Sequence, residues 1–104
     1  MTRYAYPHGA FCIDAIPNQP QVAHCHSFFI FSAHRGKGLA KVLKQAQNDV
    51  LREQGYNYAT CTTAGDNHRQ HAVLEACGWR PIGRFDNTVT GGNTIIWGWE
   101  VTQP

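Results

Sequence analysis

Between an apolar stretch ending at Phe31 and an amphipathic stretch beginning at Leu39 lies Ser32-Ala33-His34-Arg35-Gly36-Lys37-Gly38-Leu39-Ala40. Gly36 and Gly38 let the chain bend tightly and let a ligand approach the backbone without meeting a Cβ. Where such a segment joins a strand to a helix, the first helical amides lack partners and point outward at the positive end of the dipole. Arg35 and Lys37 add positive charge. The combination suits an anion such as a pyrophosphate. It also fits an ordinary glycine-containing loop that caps a helix, and the loop alone leaves both readings open. A Walker loop is excluded, since Lys41 is followed by Val42 with the wrong glycine spacing. A dinucleotide fingerprint is excluded because position 41, where GxGxxG needs its third glycine, is lysine.

The second group of chemistry-bearing residues is His24-Cys25-His26, with His68, His71 and Cys77 further along. On a strand, neighbours face opposite sides, so His24 and His26 share a face that Cys25 cannot. The spacings match no standard zinc module, and no metal is expected. Two hydrogen-bonded strand histidines without a catalytic part is the plain alternative to a functional pair.

The elements that must position these groups follow from hydrophobic periodicity. Residues 1–10 read as an irregular arm or short edge strand, Gly9–Ile16 as a strand, and Pro17-Asn18-Gln19-Pro20 as a turn. Val22–Phe31 ends in a solid apolar run that suits a central strand covered on both faces. Leu39, Val42, Leu43, Ala46, Val50 and Leu51 stand at helical offsets, predicting a helix from Leu39 to about Gln54 that turns Lys41, Lys44, Gln45, Asn48 and Asp49 away from the core. Tyr56–Thr63 reads as a strand. Ala64 to Asn67 supplies a turn and N-cap, and His68–Cys77 a short helix. Strands at about Pro81–Val89 and Thr94–Val101, joined near Gly91-Gly92, complete a mixed α/β sheet. Trp79, Trp97 and Trp99 are assigned to packing.

With 104 residues, the chain has room for a single domain spanning 1–104. A formal charge of +2 without a basic run argues against nucleic acid. No apolar run reaches the roughly 20 residues of a membrane-spanning helix. Four scattered cysteines and a polar MTRYAYPHGA start lead to the expectation of reduced thiols in a cytoplasmic protein.

Arg35–Ala40 (RGKGLA) resembles the R/Q-x-x-G-x-G/A motif of the GCN5-related N-acetyltransferases. Asn67 through Trp79, an Asn followed by a short helix closing on Gly78-Trp79, is similar to that family's second motif. The resemblance covers about residues 22–101. It implies a mostly antiparallel sheet, splayed at its centre and flanked by two main helices, without most of the family's usual N-terminal β-α-α segment. It further implies an acetyl-CoA-dependent transfer of acetyl to an amine by direct attack, on a small-molecule or protein acceptor. The backbone of Phe28, Phe29 and Ile30 would pair with the pantetheine arm. Arg35, Gly36, Lys37, Gly38, Leu39, Ala40 and Lys41 would hold the pyrophosphate, and Asn67 would touch the arm near the thiol.

The same resemblance places a base at His24, with His26 beside it. Imidazole suits that role, since its ordinary pKa near 6.5 leaves a neutral fraction at neutral pH. The family's other base position falls on Thr62, which is no base, and its usual tyrosine acid falls on Leu74. Water or His71 is left as the acid, although His71 aligns with a packing position. Asp14, on the preceding strand, is a carboxylate with nothing further to support it. Leu74 and the short N-terminus motivate one alternative, a degenerate acyl-CoA-binding relative without turnover; a small interaction protein working through its open acceptor side is another. A short core with exposed apolar strands predicts a homodimer.

Overall fold

A computed structural model describes residues 2–102. Strands β1 (Thr2–Tyr6), β2 (Gly9–Ile16) and β3 (Gln19–Ile30) form an antiparallel meander. Ile16 pairs with Gln19 across Pro17-Asn18, and Asn18 takes the left-handed conformation (φ 64°) that asparagine tolerates better than most residues. A short 3₁₀ turn at Ser32–His34 leads into helix α1 (Leu39–Glu53). Strand β4 (Tyr58–Ala64), helix α2 (His68–Ala76) and the hairpin β5 (Arg80–Asp86) and β6 (Asn93–Glu100) follow. The six strands form one sheet in the order β1-β2-β3-β4-β6-β5. Only β3 and β4 are parallel, as a strand-helix-strand crossover requires. No helix among the described residues is long and apolar enough to cross a membrane.

That parallel pair is short. β3 meets β4 only at Val22↔Tyr58, Ala23↔Ala59 and His24↔Thr60, although β3 runs on to Ile30 and β4 to Ala64. β4 meanwhile stays paired with β6 from Tyr58↔Glu100 to Ala64↔Thr94. The sheet is therefore split into two halves that diverge beyond His24 and Thr60. A bulge helps turn β3 away: Cys12 faces His26 while Ala10 faces Phe29, so β3 carries one extra residue, and Ser27 has φ 54°. Past this bulge Phe28 follows Cys25 onto the helix-covered side.

The bulge also overturns the expectation that Val22–Phe31 is covered on both faces. Phe29 is 39% exposed, its ring set edge-on to Phe31 at 5.3 Å and under the Arg3 guanidinium at 5.9 Å. Among the described residues no helix covers that face of the strand. The expected strand Pro81–Val89 is likewise shorter, ending at Asp86. The Asn87 carboxamide oxygen accepts from the amides of Val89 and Thr90, a turn that competes with strand pairing and leaves Val89 in solvent.

α1 and α2 cover the other face, over Phe11, Leu43, Leu51, Leu74 and the three tryptophans. Here the helical phase differs from the apolar count. Val42 is 47% exposed, whereas Lys44 and Asn48, expected in solvent, are buried along with Gln47. The burial of Asn48 is matched by two good partners: its carboxamide accepts from the Trp79 indole (2.9 Å) and donates to the Cys77 carbonyl (3.0 Å). Lys44 lays its ammonium on the Trp79 ring, 3.8 Å from the centroid. Aromatic rings thus turned the helix by offering polar partners inside the core.

Candidate active site

The glycine loop is held to the strand it follows. Arg35 Nε donates to the Ile30 carbonyl at 2.9 Å, and the Phe31 amide donates to the His8 carbonyl at 2.9 Å. Gly36 and Gly38 adopt φ 78° and 71°, and a Cβ at either would meet nothing within 4 Å. Conformation, not space, therefore selects glycine at both positions. Gly38 is the N-cap of α1 and has no side chain to satisfy the amides of Leu39, Ala40 and Lys41. The first turn holds no acid, while Arg35, Lys37 and Lys41 are exposed around it. The result is a positive, donor-rich rim with room above it.

Beside this rim, the gap between β3 and β4 opens into a cavity of about 340 Å³. Ser27 and Phe28 line it from the bulge, Lys44 and Gln47 from α1, Thr62 from β4 and Asn67 from the start of α2. Asn67 caps α2, its Oδ1 accepting from the Gln70 amide at 3.3 Å. Among the described residues no strand pairs with the edge of Phe28, Phe29 and Ile30 that faces away from β2. A wider cavity of about 630 Å³, sharing Thr62, Thr63 and Ala64, continues under the β5–β6 hairpin.

His24 and His26 stand on the uncovered face, His24 at the last β3–β4 pair, their rings 13° from parallel and 6.1 Å apart. His26 Nε2 donates to Asp14 Oδ2 at 2.6 Å, and its Nδ1 lies 3.0 Å from Ser27 Oγ. This contact lowers the Asp14 pKa. His24 Nδ1 lies 2.9 Å from Thr60 Oγ1, whose hydroxyl donates to the Ala23 carbonyl. A hydroxyl that donates to a carbonyl can accept from Nδ1–H, and that tautomer leaves the lone pair on His24 Nε2. Burial, and then the charge of His26, lower the His24 pKa, with Asp14 acting the other way. The lowered pKa favours the neutral imidazole, and no hydrogen bond to His24 Nε2 forms among the described residues.

The helix-covered side of the cavity holds a group that sequence reasoning placed in solvent. Lys44 Nζ donates to Gln47 Oε1 at 2.6 Å, sits 5.5 Å from the Phe28 centroid, and comes no nearer than 3.9 Å to Cys61 Sγ. Burial lowers its pKa. Burial also pushes the Cys25 thiol up to about 12 and raises Cys61, so neither sulfur is a thiolate partner at neutral pH. Nothing in apolar periodicity signals a buried lysine, and only the position of Trp79, on the connection between α2 and β5, shows what receives it.

The remaining candidates take structural places. His71 Nε2 donates to the Ala64 carbonyl at 3.0 Å and its ring packs 5.4 Å from Trp97. Leu74 is wholly buried and supplies no proton donor. Thr62 is exposed at the cavity wall. Cys25 faces the helices, away from His24 and His26, and among the described residues no three His, Cys, Asp or Glu side chains gather as a metal set.

Residues 6–79 match the profile of the acetyltransferase (GNAT) family. The chain belongs to this family. Solved structures agree on the fold. An IAA acetyltransferase from Bacillus cereus superposes with a TM-score of 0.79 at 17% identity, covering 89% of this chain and 69% of its own. A Bacillus subtilis acetyltransferase in complex with CoA gives 0.79 at 14% identity, covering 95% and 74%. The ribosomal-protein-S18-alanine N-acetyltransferase of Escherichia coli gives 0.77 at 14% identity, covering 93% and 63%. This GNAT chain therefore spans about two thirds of the length of such proteins. No curated protein matches it by sequence.

Proposed function

We propose that this chain transfers an acetyl group from acetyl-CoA to an amine, with His24 as the base. The observation that carries the reading is the parting of β3 from β4 after His24↔Thr60, with a cavity lined by His26 beyond it and an uncapped helix start on the segment that follows β3. In this reading the amides from Gly36 to Lys41, with Arg35 and Lys37 beside them, receive the diphosphate of the coenzyme. The Arg35 Nε is already committed to Ile30, so its terminal nitrogens are the ones left for phosphate. The free edge of Phe28, Phe29 and Ile30 pairs with the pantetheine arm as an added strand would. The Asn67 carboxamide has its Nδ2 donor to offer, since capping uses Oδ1.

Acetyl-CoA supplies an activated thioester, and the chain supplies position and proton management. His24 Nε2 accepts the proton of the attacking amine as the N–C bond forms and the C–S bond breaks. That proton passes through water to the departing thiolate, since Leu74 cannot provide one. Asp14 holds His26, and His26 lies beside His24, so the pair presents one fixed imidazole face to the acceptor. His26 is thus a positioning residue. The acceptor, a small molecule or protein bearing an amine, approaches from the uncovered face.

Calorimetric titration with acetyl-CoA tests the cradle. Gly38→Val, which forces a β-branched residue into a left-handed φ at the rim, is expected to weaken binding about 10-fold or more. Unchanged affinity in that variant would remove the diphosphate from α1. Thiol release above background with a panel of amines distinguishes an enzyme from a binder that has lost turnover.

A further inference from the structure

Lys44 and Gln47 present an unresolved demand for an acceptor inside the wedge. Lys44 is 2% exposed and Gln47 is fully buried, and both line the 340 Å³ cavity. The ammonium has three donor hydrogens, and one goes to Gln47 Oε1. The Cys61 contact at 3.9 Å is a weak second. Gln47 Nε2 is buried with no hydrogen-bond partner among the described residues. Among the described residues no carboxylate pairs with Lys44. Two rings, Trp79 and Phe28, flank it, and their faces attract a cation without accepting its directed hydrogens in full. Buried donors of this kind are ordinarily matched, so a cluster aimed into a cavity points to a ligand that brings acceptors.

We propose that the acyl pocket of this chain receives, and prefers over an unsubstituted acyl group, a short acyl chain ending in a carboxylate, with Lys44 and Gln47 as its receptors. The inference rests on the acyltransferase reading above. In that reading the pantetheine arm runs along the edge of residues 28–30 and past Asn67, and the amine and His24 occupy the uncovered face. The tail of the acyl group is directed to the part of the cavity lined by Lys44 and Gln47. The tail meets Phe28 and then the Lys44–Gln47 pair. A carboxylate there takes the ammonium hydrogens left over and the Gln47 Nε2–H, and its charge neutralises the buried cation. Transfer itself is unaltered: the amine nitrogen bonds to the thioester carbonyl carbon, the C–S bond breaks, and the amine proton leaves through His24. The terminal carboxylate is a spectator that stays on the product.

Binding of succinyl-CoA and malonyl-CoA, measured by calorimetry against pentanoyl-CoA, butyryl-CoA and free coenzyme A, provides the test. The wild-type chain is expected to bind the carboxylate-bearing donors about 10- to 100-fold more tightly than the uncharged ones, as a charge-assisted hydrogen-bonded pair warrants. In Lys44→Met, which keeps the volume of the side chain, that ratio falls to near one, and Gln47→Met lowers it partway. Equal binding of charged and uncharged donors by wild type overturns the proposal while leaving the coenzyme cradle standing, and needs no variant to fold. A preference that survives Lys44→Met overturns it too. So does an equal loss of free coenzyme A in that variant, which would put Lys44 on the pantetheine arm. Absence of binding by every coenzyme A species would instead bring down the acyltransferase reading itself.

Discussion

The two faces of the β3–β4 wedge hold ionisable groups and treat them in opposite ways. On the uncovered face, Asp14, His26, His24 and Thr60 satisfy one another through side-chain hydrogen bonds, with water able to reach them. On the covered face, Lys44 has rings, one amide oxygen and thiols held protonated by burial. The first arrangement sets protons: it decides which nitrogen of His24 is free. The second stores an unmet charge. The difference shows that strand alternation alone distributes side chains, while the layer above each face decides their chemistry.

The largest effect belongs to the uncovered face. His24→Ala is expected to cut the acetylation rate at neutral pH by about 10²–10⁴-fold, followed by thiol release. The wild-type rate should fall on acidification through a pKa below the usual imidazole value near 6.5, because burial disfavours the imidazolium. A His24→Ala variant with wild-type rate and the same acid limb would strip this face of its catalytic part.

Lys44→Met sharpens the contrast from the covered side. Replacing a buried cation that lacks a carboxylate by an apolar side chain of like volume is expected to raise stability at pH 7 by about 1–3 kcal/mol. The pH dependence has a definite sign. The folded-state pKa of Lys44 is lowered, so between that value and 10.5 the unfolded chain binds more protons, and wild-type stability rises with pH relative to the variant. Urea denaturation at pH 7 and pH 9.5 should therefore show the advantage of Lys44→Met shrinking. A destabilised variant would mean that the two rings hold the ammonium more strongly than its burial costs.

Asp14→Asn is the smallest perturbation. Asp14 raises the His24 pKa against the larger effects of burial and His26, so its loss should move the acid limb of the rate profile to lower pH, with little change in Tm. Movement to higher pH would show that His26, once released, acts on His24 in the opposite sense.

Much of this was legible in the sequence, and the illegible part has a common cause. Arg35–Ala40 announces its loop because positive φ and missing Cβ atoms are local demands that glycine alone meets well. The period of α1 is equally local, and its extent matches the periodicity to within about a residue. Its phase is not, since Val42 and Lys44 exchange places according to where Trp79 and Asn48 lie. The ends of β5 escape the pattern because an Asn87 side chain outbids the ladder. His24 and His26 are recognisable as sharing a face, whereas the pairing of His26 with Asp14 depends on the register of the β2–β3 hairpin.

By itself, then, the sequence determined the order of elements, the glycine-rich helix start and the family to which they belong, because each rests on residues adjacent in the chain. Only the tertiary structure decided that β3 parts from β4 after His24, that His24 keeps a free nitrogen, and that Lys44 lies buried in the gap. Those depend on groups brought together from distant segments, and on burial, which no single stretch of chain can set alone.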